Sequence, residues 1–178
     1  MSAVLRSLVL LSATNRRRGA GADFATLRAM LFYIDEFPER RHHVKESKLL
    51  FPKVRARIPS ACDLLDRLDE DHARGERRIR DLQHALLAFE VMGETRRGDF
   101  QAAVRDYVAF HFEHMALEER EVLPMAERAL TAADWDALDA AFGADRDPLT
   151  GGRRDAEYQQ IFTRIFNALP APIGLGAG

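Results

Sequence analysis

Two segments of this chain repeat one pattern, His-x-x-x-Glu-x-x-x-x-x-Pro, seventy-two residues apart. The first runs from His42 through Glu46 to Pro52, the second from His114 through Glu118 to Pro124. At four residues' spacing on a helix, a His and a Glu lie about 40° apart around the axis and reach one point. Both copies sit in long segments of helical periodicity, and no stretch alternates with the period of two expected of a half-buried strand. Imidazole with carboxylate, supplied twice, is the donor set that a pair of iron or manganese ions takes inside a helical bundle. An all-α chain is expected.

The apolar residues divide the chain into helices. Val4, Leu5, Leu8 and Leu11 mark a short first helix that stops before Gly19-Ala20-Gly21. Asp23 is placed to cap a second, with Leu27, Met30, Leu31 and Ile34 inward. Pro38 is expected to kink or restart that helix, because it lacks a backbone donor and crowds the preceding turn. Ser60 and Asp63 fit a capping box for a third helix, whose stripe is Leu64, Leu65, Leu68, His72, Ile79, Leu82 and Leu86. Asp99 is placed to cap a fourth, burying Val104, Tyr107, Phe110, His111, His114 and Glu118. A Thr131/Asp134 box opens a shorter helix, and Tyr158, Ile161, Phe162, Ile165 and Phe166 mark a last one. The expected architecture is an antiparallel up-down four-helix bundle over residues 1–130, its first helix short or truncated. Flanking helices would occupy 131–169, with a flexible tail at 170–178.

At 178 residues the chain is one domain with room for a real core. A net charge of -2 and a pI near 6.3 point away from nucleic acid, and the arginines are interleaved with acids. One cysteine, Cys62, excludes an intramolecular disulfide and suits a reducing compartment. No apolar run approaches the roughly 20 residues of a membrane span, and Leu8–Leu11 is too short and wrongly flanked for a signal peptide. A cytoplasmic protein without membrane or nucleic-acid partners is expected.

The histidines concentrate the chemistry. His72 is in line with Leu65, Leu68 and Ile79; Glu76 shares that face, and Gly75 leaves space between them for a metal or a small ligand. His111, His114 and Glu118 fall within about 60° of one another. His43 is turned about 100° from His42, so one of the two faces away, and the spacing to Glu46 favours His42. His84 lies about 120° from His72 and should face solvent. A lone inward histidine is commonly a hydrogen-bonded core residue, and Glu76 and His111 also suit partners that orient a ligand. The conjunction favours metal: buried bare carboxylates lose several kcal/mol of hydration, to order of magnitude, and a shared cation offsets that loss. Tyr107, one turn before His111, is placed to donate a hydrogen bond to a bound ligand, or to serve as a core tyrosine with its hydroxyl at the rim.

With His42-His43-Val44-Lys45-Glu46 running on to Leu50-Phe51-Pro52, with Asp71-His72, and with His114-Met115-Ala116-Leu117-Glu118-Glu119 running on to Leu123-Pro124, the chain resembles the hemerythrin-like, or HHE cation-binding, family over roughly residues 3–130. The resemblance implies a non-haem di-iron centre bridged by carboxylates and an oxo or hydroxo group. Its ligands would be His42, Glu46, His72, His114 and Glu118, with His43, Glu76 and His111 as additional candidates. The family expects a further histidine on the first helix, and no histidine precedes His42. His72 precedes His114 by 42 residues; the same count back from His42 reaches position zero. A start codon assigned late, with that histidine at or just upstream of Met1, is preferred to a truncated protein, because the first helix lacks an N-cap.

The resulting expectation is a protein with non-haem iron, two ions if the upstream histidine exists, manganese being the other candidate. It would bind or sense dioxygen, iron, or reactive oxygen or nitrogen species, its small partner being a diatomic ligand or peroxide. A di-iron enzyme consuming peroxide or nitric oxide, and a metal-free degraded bundle acting as an interaction module, are the alternatives. No catalytic residue is assigned.

Overall fold

The computed structural model describes residues 1–13, 23–144 and 158–168; these are all-α, with no strand among them. In α1 (Ser2–Ala13), Val4, Leu5 and Leu8 are buried as their spacing predicts. Asp23 caps α2 (Phe24–Ile34), its Oδ1 accepting the Thr26 amide at 2.9 Å. Partial burial works to raise the Asp23 pKa, but the hydroxyl and amide of Thr26 outweigh it and hold the carboxyl below its ordinary value. Asp23→Ala should cost about 1 kcal/mol, read as a lower urea midpoint at unchanged slope.

The helical path does not stop at Pro38. It continues to Arg57 through a π-helical stretch π1 (Asp35–His42), α3 (His43–Lys45), π2 (Glu46–Leu50) and α4 (Phe51–Arg57). A π turn bonds each amide to the carbonyl five residues back, so it absorbs the missing N–H of Pro38 without a break. The second half does the same. There α6 (Arg97–Leu117) passes into π3 (Glu118–Val122) and α7 (Leu123–Ala129). In both copies of the repeat the π turn opens at the glutamate, and the residue before the proline closes it. The Phe51 amide donates to the Glu46 carbonyl, and the Leu123 amide to that of Glu118. Pro52 and Pro124 cannot donate to the carbonyl four residues back, which favours this wider closure. The repeat therefore specifies a backbone device as well as two side chains.

Between these paths runs α5 (Cys62–Met92). The Ser60/Asp63 capping box does not form; a 3-10 turn at Pro59–Ala61 leads in, and Ala61 takes the cap position. The helix ends at Gly93, whose φ of 75° lies in the left-handed region that favours glycine. Likewise Arg96, not Asp99, occupies the N-cap of α6. The Thr131/Asp134 box does form ahead of α8 (Ala132–Ala144): the Thr131 amide donates to Asp134 Oδ2 at 3.0 Å, and the Asp134 amide to Thr131 Oγ1 at 3.3 Å. In α9 (Gln159–Ala168), Phe162 packs on Tyr33 and Phe37. The tail at 170–178 and the Gly19-Ala20-Gly21 turn lie outside the described residues.

Helix α5 packs along α6, α1 lies on α6 and α2, α9 on α2, and α4 against α7. The core has two apolar blocks. One gathers Leu5, Met30, Ile79, Leu82, Phe100 and Val104; the other gathers Phe51, Val54, Leu65, Leu68, Val122 and Ala126. Along each of the three long paths, the positions between the blocks carry Glu39–Glu46, Asp71–Gly75 and His111–Glu118. The polar layer thus interrupts a continuous core. None of the described helices is long and apolar enough to cross a membrane.

Candidate metal centre

In the polar layer His43, Glu46, His72 and His114 are all buried, and each offers one ligand atom within 4.8 Å of the others. His72 Nε2 and His114 Nε2 are 3.2 Å apart, with the rings inclined at 64°. Glu46 Oε2 lies 3.5 Å from His72 Nε2, and Glu118 Oε1 lies 3.4 Å from His114 Nε2 and 3.9 Å from His72 Nε2. Around an ion with bonds of about 2.1 Å, donor atoms at right angles sit about 3.0 Å apart. The separations here are close to that value.

The fit to a cation rests on what the protein leaves unpaired. Glu46 Oε2, Glu118 Oε1 and His114 Nδ1 are buried and have no hydrogen-bond partner. Leaving a buried polar atom unpaired costs about 1–3 kcal/mol, and more for a charge. The two carboxylate oxygens face the imidazole nitrogens, so one cation would satisfy both. Burial works to raise the Glu118 pKa, yet the imidazoles of His114 and His72 outweigh it and hold the carboxyl far below its usual range. Burial also works to lower the pKa of His114, and the Glu118 carboxylate overcomes it, so that the pKa is raised. His72 Nδ1 meets Ser47 Oγ at 2.8 Å, and Phe51 stacks on its ring at 5.5 Å between centroids. Its orientation is thereby held from two sides.

Of the adjacent pair it is His43 that lies in the cluster. His42 has a side chain 54% exposed, with Nε2 3.0 Å from Glu46 Oε1, and it packs against Phe142 of α8. Burial works to lower its pKa, but Glu46 prevails and raises it. The four-residue spacing does bring His42 to Glu46, but at the outer oxygen Oε1, while Oε2 faces the buried imidazole of His72. Glu76 is not brought in: its side chain is 44% exposed and accepts from Arg80 at 2.9 Å. His84 faces solvent as its angle predicts.

His111 and Tyr107 are buried beside the cluster and converge on Glu39, a residue outside the sequence-derived candidates. Glu39 Oε1 accepts from the Tyr107 hydroxyl at 2.7 Å and from His111 Nε2 at 2.8 Å; Oε2 accepts from His43 Nδ1 at 3.1 Å. Burial works to raise the pKa of Glu39, and His111 and His43 outweigh it, so the carboxyl stays ionised well below its usual range. Burial, then the Glu39 charge, pushes the Tyr107 phenol far up. Its proton is directed at Glu39. The signal for Glu39 was present as a Glu-x-x-x-His spacing to His43, the repeat's residues in reverse order.

Fold and site together give a helical domain with a buried His/Glu cluster that could hold a metal ion. The pattern of the hemerythrin HHE cation-binding domain matches residues 3–126, and the chain belongs to that family. No curated protein and no solved structure matches the chain.

Proposed function

We propose that this chain is a non-haem iron protein holding two ions, which binds or senses dioxygen, iron, or reactive oxygen or nitrogen species. The observation that carries the reading is the pair of buried, unpartnered carboxylate oxygens, Glu46 Oε2 and Glu118 Oε1, set against the nitrogens of His72 and His114. Imidazole and carboxylate together suit iron or manganese. Two ions are favoured by the repeat, which delivers imidazole with carboxylate twice. The metal would supply Lewis acidity and redox capacity. The chain's own part is to hold the ligands between the two apolar blocks, with a cavity of about 490 Å³ lined by His42, His43, His111 and Glu118 reaching the cluster.

The same reading gives the architecture as an up-down antiparallel bundle over 1–130, flanked by α8 and α9. A binding or sensing role in the cytoplasm, with a diatomic molecule or peroxide as small partner, is preferred to turnover. His42, exposed with Nε2 3.0 Å from Glu46 Oε1, would serve the second of the two ions. The test is metal analysis of protein expressed with added iron. Two irons per chain, and a charge-transfer absorption band on aeration, are expected; protein without metal would overturn the reading. Metal at about 100 times its Kd should stabilise the fold by about 2.7 kcal/mol, raising Tm by roughly 5–10 °C. Equal Tm with and without metal would favour a metal-free interaction module.

A further inference from the structure

Glu39 is the most deeply buried acid among the described residues, with its side chain fully enclosed. A carboxylate only accepts hydrogen bonds, so each nitrogen bonded to it must carry a proton. His43 therefore donates through Nδ1–H. A neutral imidazole has one N–H and one lone pair, which leaves the lone pair of His43 on Nε2. Glu39 itself is engaged elsewhere: Oε1 already takes two donors, Tyr107 and His111, and Oε2 takes the third. Its charge is stabilised by three hydrogen bonds.

Helix α5 is shaped around this carboxylate. A Cβ at Gly75 would stand 2.7 Å from Glu39 Oε2 and 2.9 Å from Oε1. Those oxygens are tethered by three bonds and have nowhere to retreat. A glycine in the interior of a 31-residue helix costs about 1 kcal/mol against alanine, and the close approach of Glu39 accounts for it. The space that Gly75 opens is filled by Glu39.

We propose that Glu39 is a positioning residue for the metal centre: it holds His43 as the Nδ1–H tautomer so that Nε2 is the atom offered to a metal, and Gly75 is the vacancy in α5 that admits it. The proposal rests on the metal-binding reading above. A carboxylate behind a ligating imidazole also raises its basicity, and loss of such a partner typically lowers metal affinity 10–100-fold.

Two measurements test it at one pH. In metal-free protein, long-range 1H–15N spectra of the imidazoles should show His43 as the Nδ1–H tautomer, and Glu39→Gln, with one acceptor oxygen for three donors, should lose that uniformity. In cobalt(II) titrations, Glu39→Gln should weaken binding about 10–100-fold and shift the visible bands of the bound ion. Gly75→Ala, which displaces Glu39 without altering its chemistry, should move both readouts in the same direction, and it serves if Glu39→Gln does not fold. Glu39→Gln with an unchanged cobalt(II) Kd and spectrum overturns the role of Glu39 and leaves the metal reading intact. A metal-free wild type with His43 as the Nε2–H tautomer also overturns it. Wild-type protein that takes up no cobalt(II) overturns the metal reading and this proposal with it.

Discussion

His114→Ala is expected to lower iron affinity by about 100-fold or more, leaving little metal on the protein after desalting. Removing even an outer partner of a ligand costs 10–100-fold, and His114 would be a ligand itself. Its Nε2 is the point on which His72 and Glu118 converge, at 3.2 and 3.4 Å. Metal content after desalting, and a competition titration against a chelator, measure the effect. Full iron content with an unchanged Kd would remove His114 from the ligand set. The variant separates a site from a fold effect when its far-UV circular dichroism matches wild type while the metal-induced rise in Tm disappears.

Phe51→Ala is expected to produce the largest loss of stability, about 3–5 kcal/mol, or roughly 6–20 °C in Tm. Phe51 is fully buried in the block of core below the polar layer, and its ring stacks on His72 at 14°. Truncation removes a core aromatic and the wall that holds a candidate ligand. Phe51→Leu keeps most of the apolar volume and should cost much less, while still freeing the His72 ring. Differential scanning calorimetry and a metal titration on both variants test the two roles. A Tm unchanged in Phe51→Ala would contradict the packing.

The all-α character and the inner stripes were legible because periodicity reports burial directly: Leu65, Leu68, Ile79, Leu82 and Leu86 are buried where the 3.6-residue period puts them. The buried histidines on the regular helices α5 and α6, His72, His111 and His114, were visible in the same way. His42 meets Glu46 as its spacing predicts, but on the exposed side of that carboxylate, and the signal for Glu39 was the reversed Glu-x-x-x-His spacing to His43. Glu76 misled for a different reason. It borders the inner stripe of α5, but Arg80 one turn on draws its carboxylate outward. Capping was uneven too: Asp23 and Thr131/Asp134 act as caps, whereas the Pro59–Ala61 turn takes the place of the Ser60 box.

The π turns partition the polar layer by stiffness. His72, His111 and His114 stand on the long regular helices α5 and α6, whereas Glu46 and Glu118 each open a π stretch. Regular helix holds its side chains in a narrow range of positions; a π turn is a local departure from the preferred ladder and gives more easily. The nitrogens of His72 and His114 are therefore pinned, and the oxygens of Glu46 and Glu118 are the more compliant. Around the proposed metal such a shell would tighten or loosen with ionic radius or oxidation state through Glu46 and Glu118, leaving the imidazoles of His72 and His114 in place.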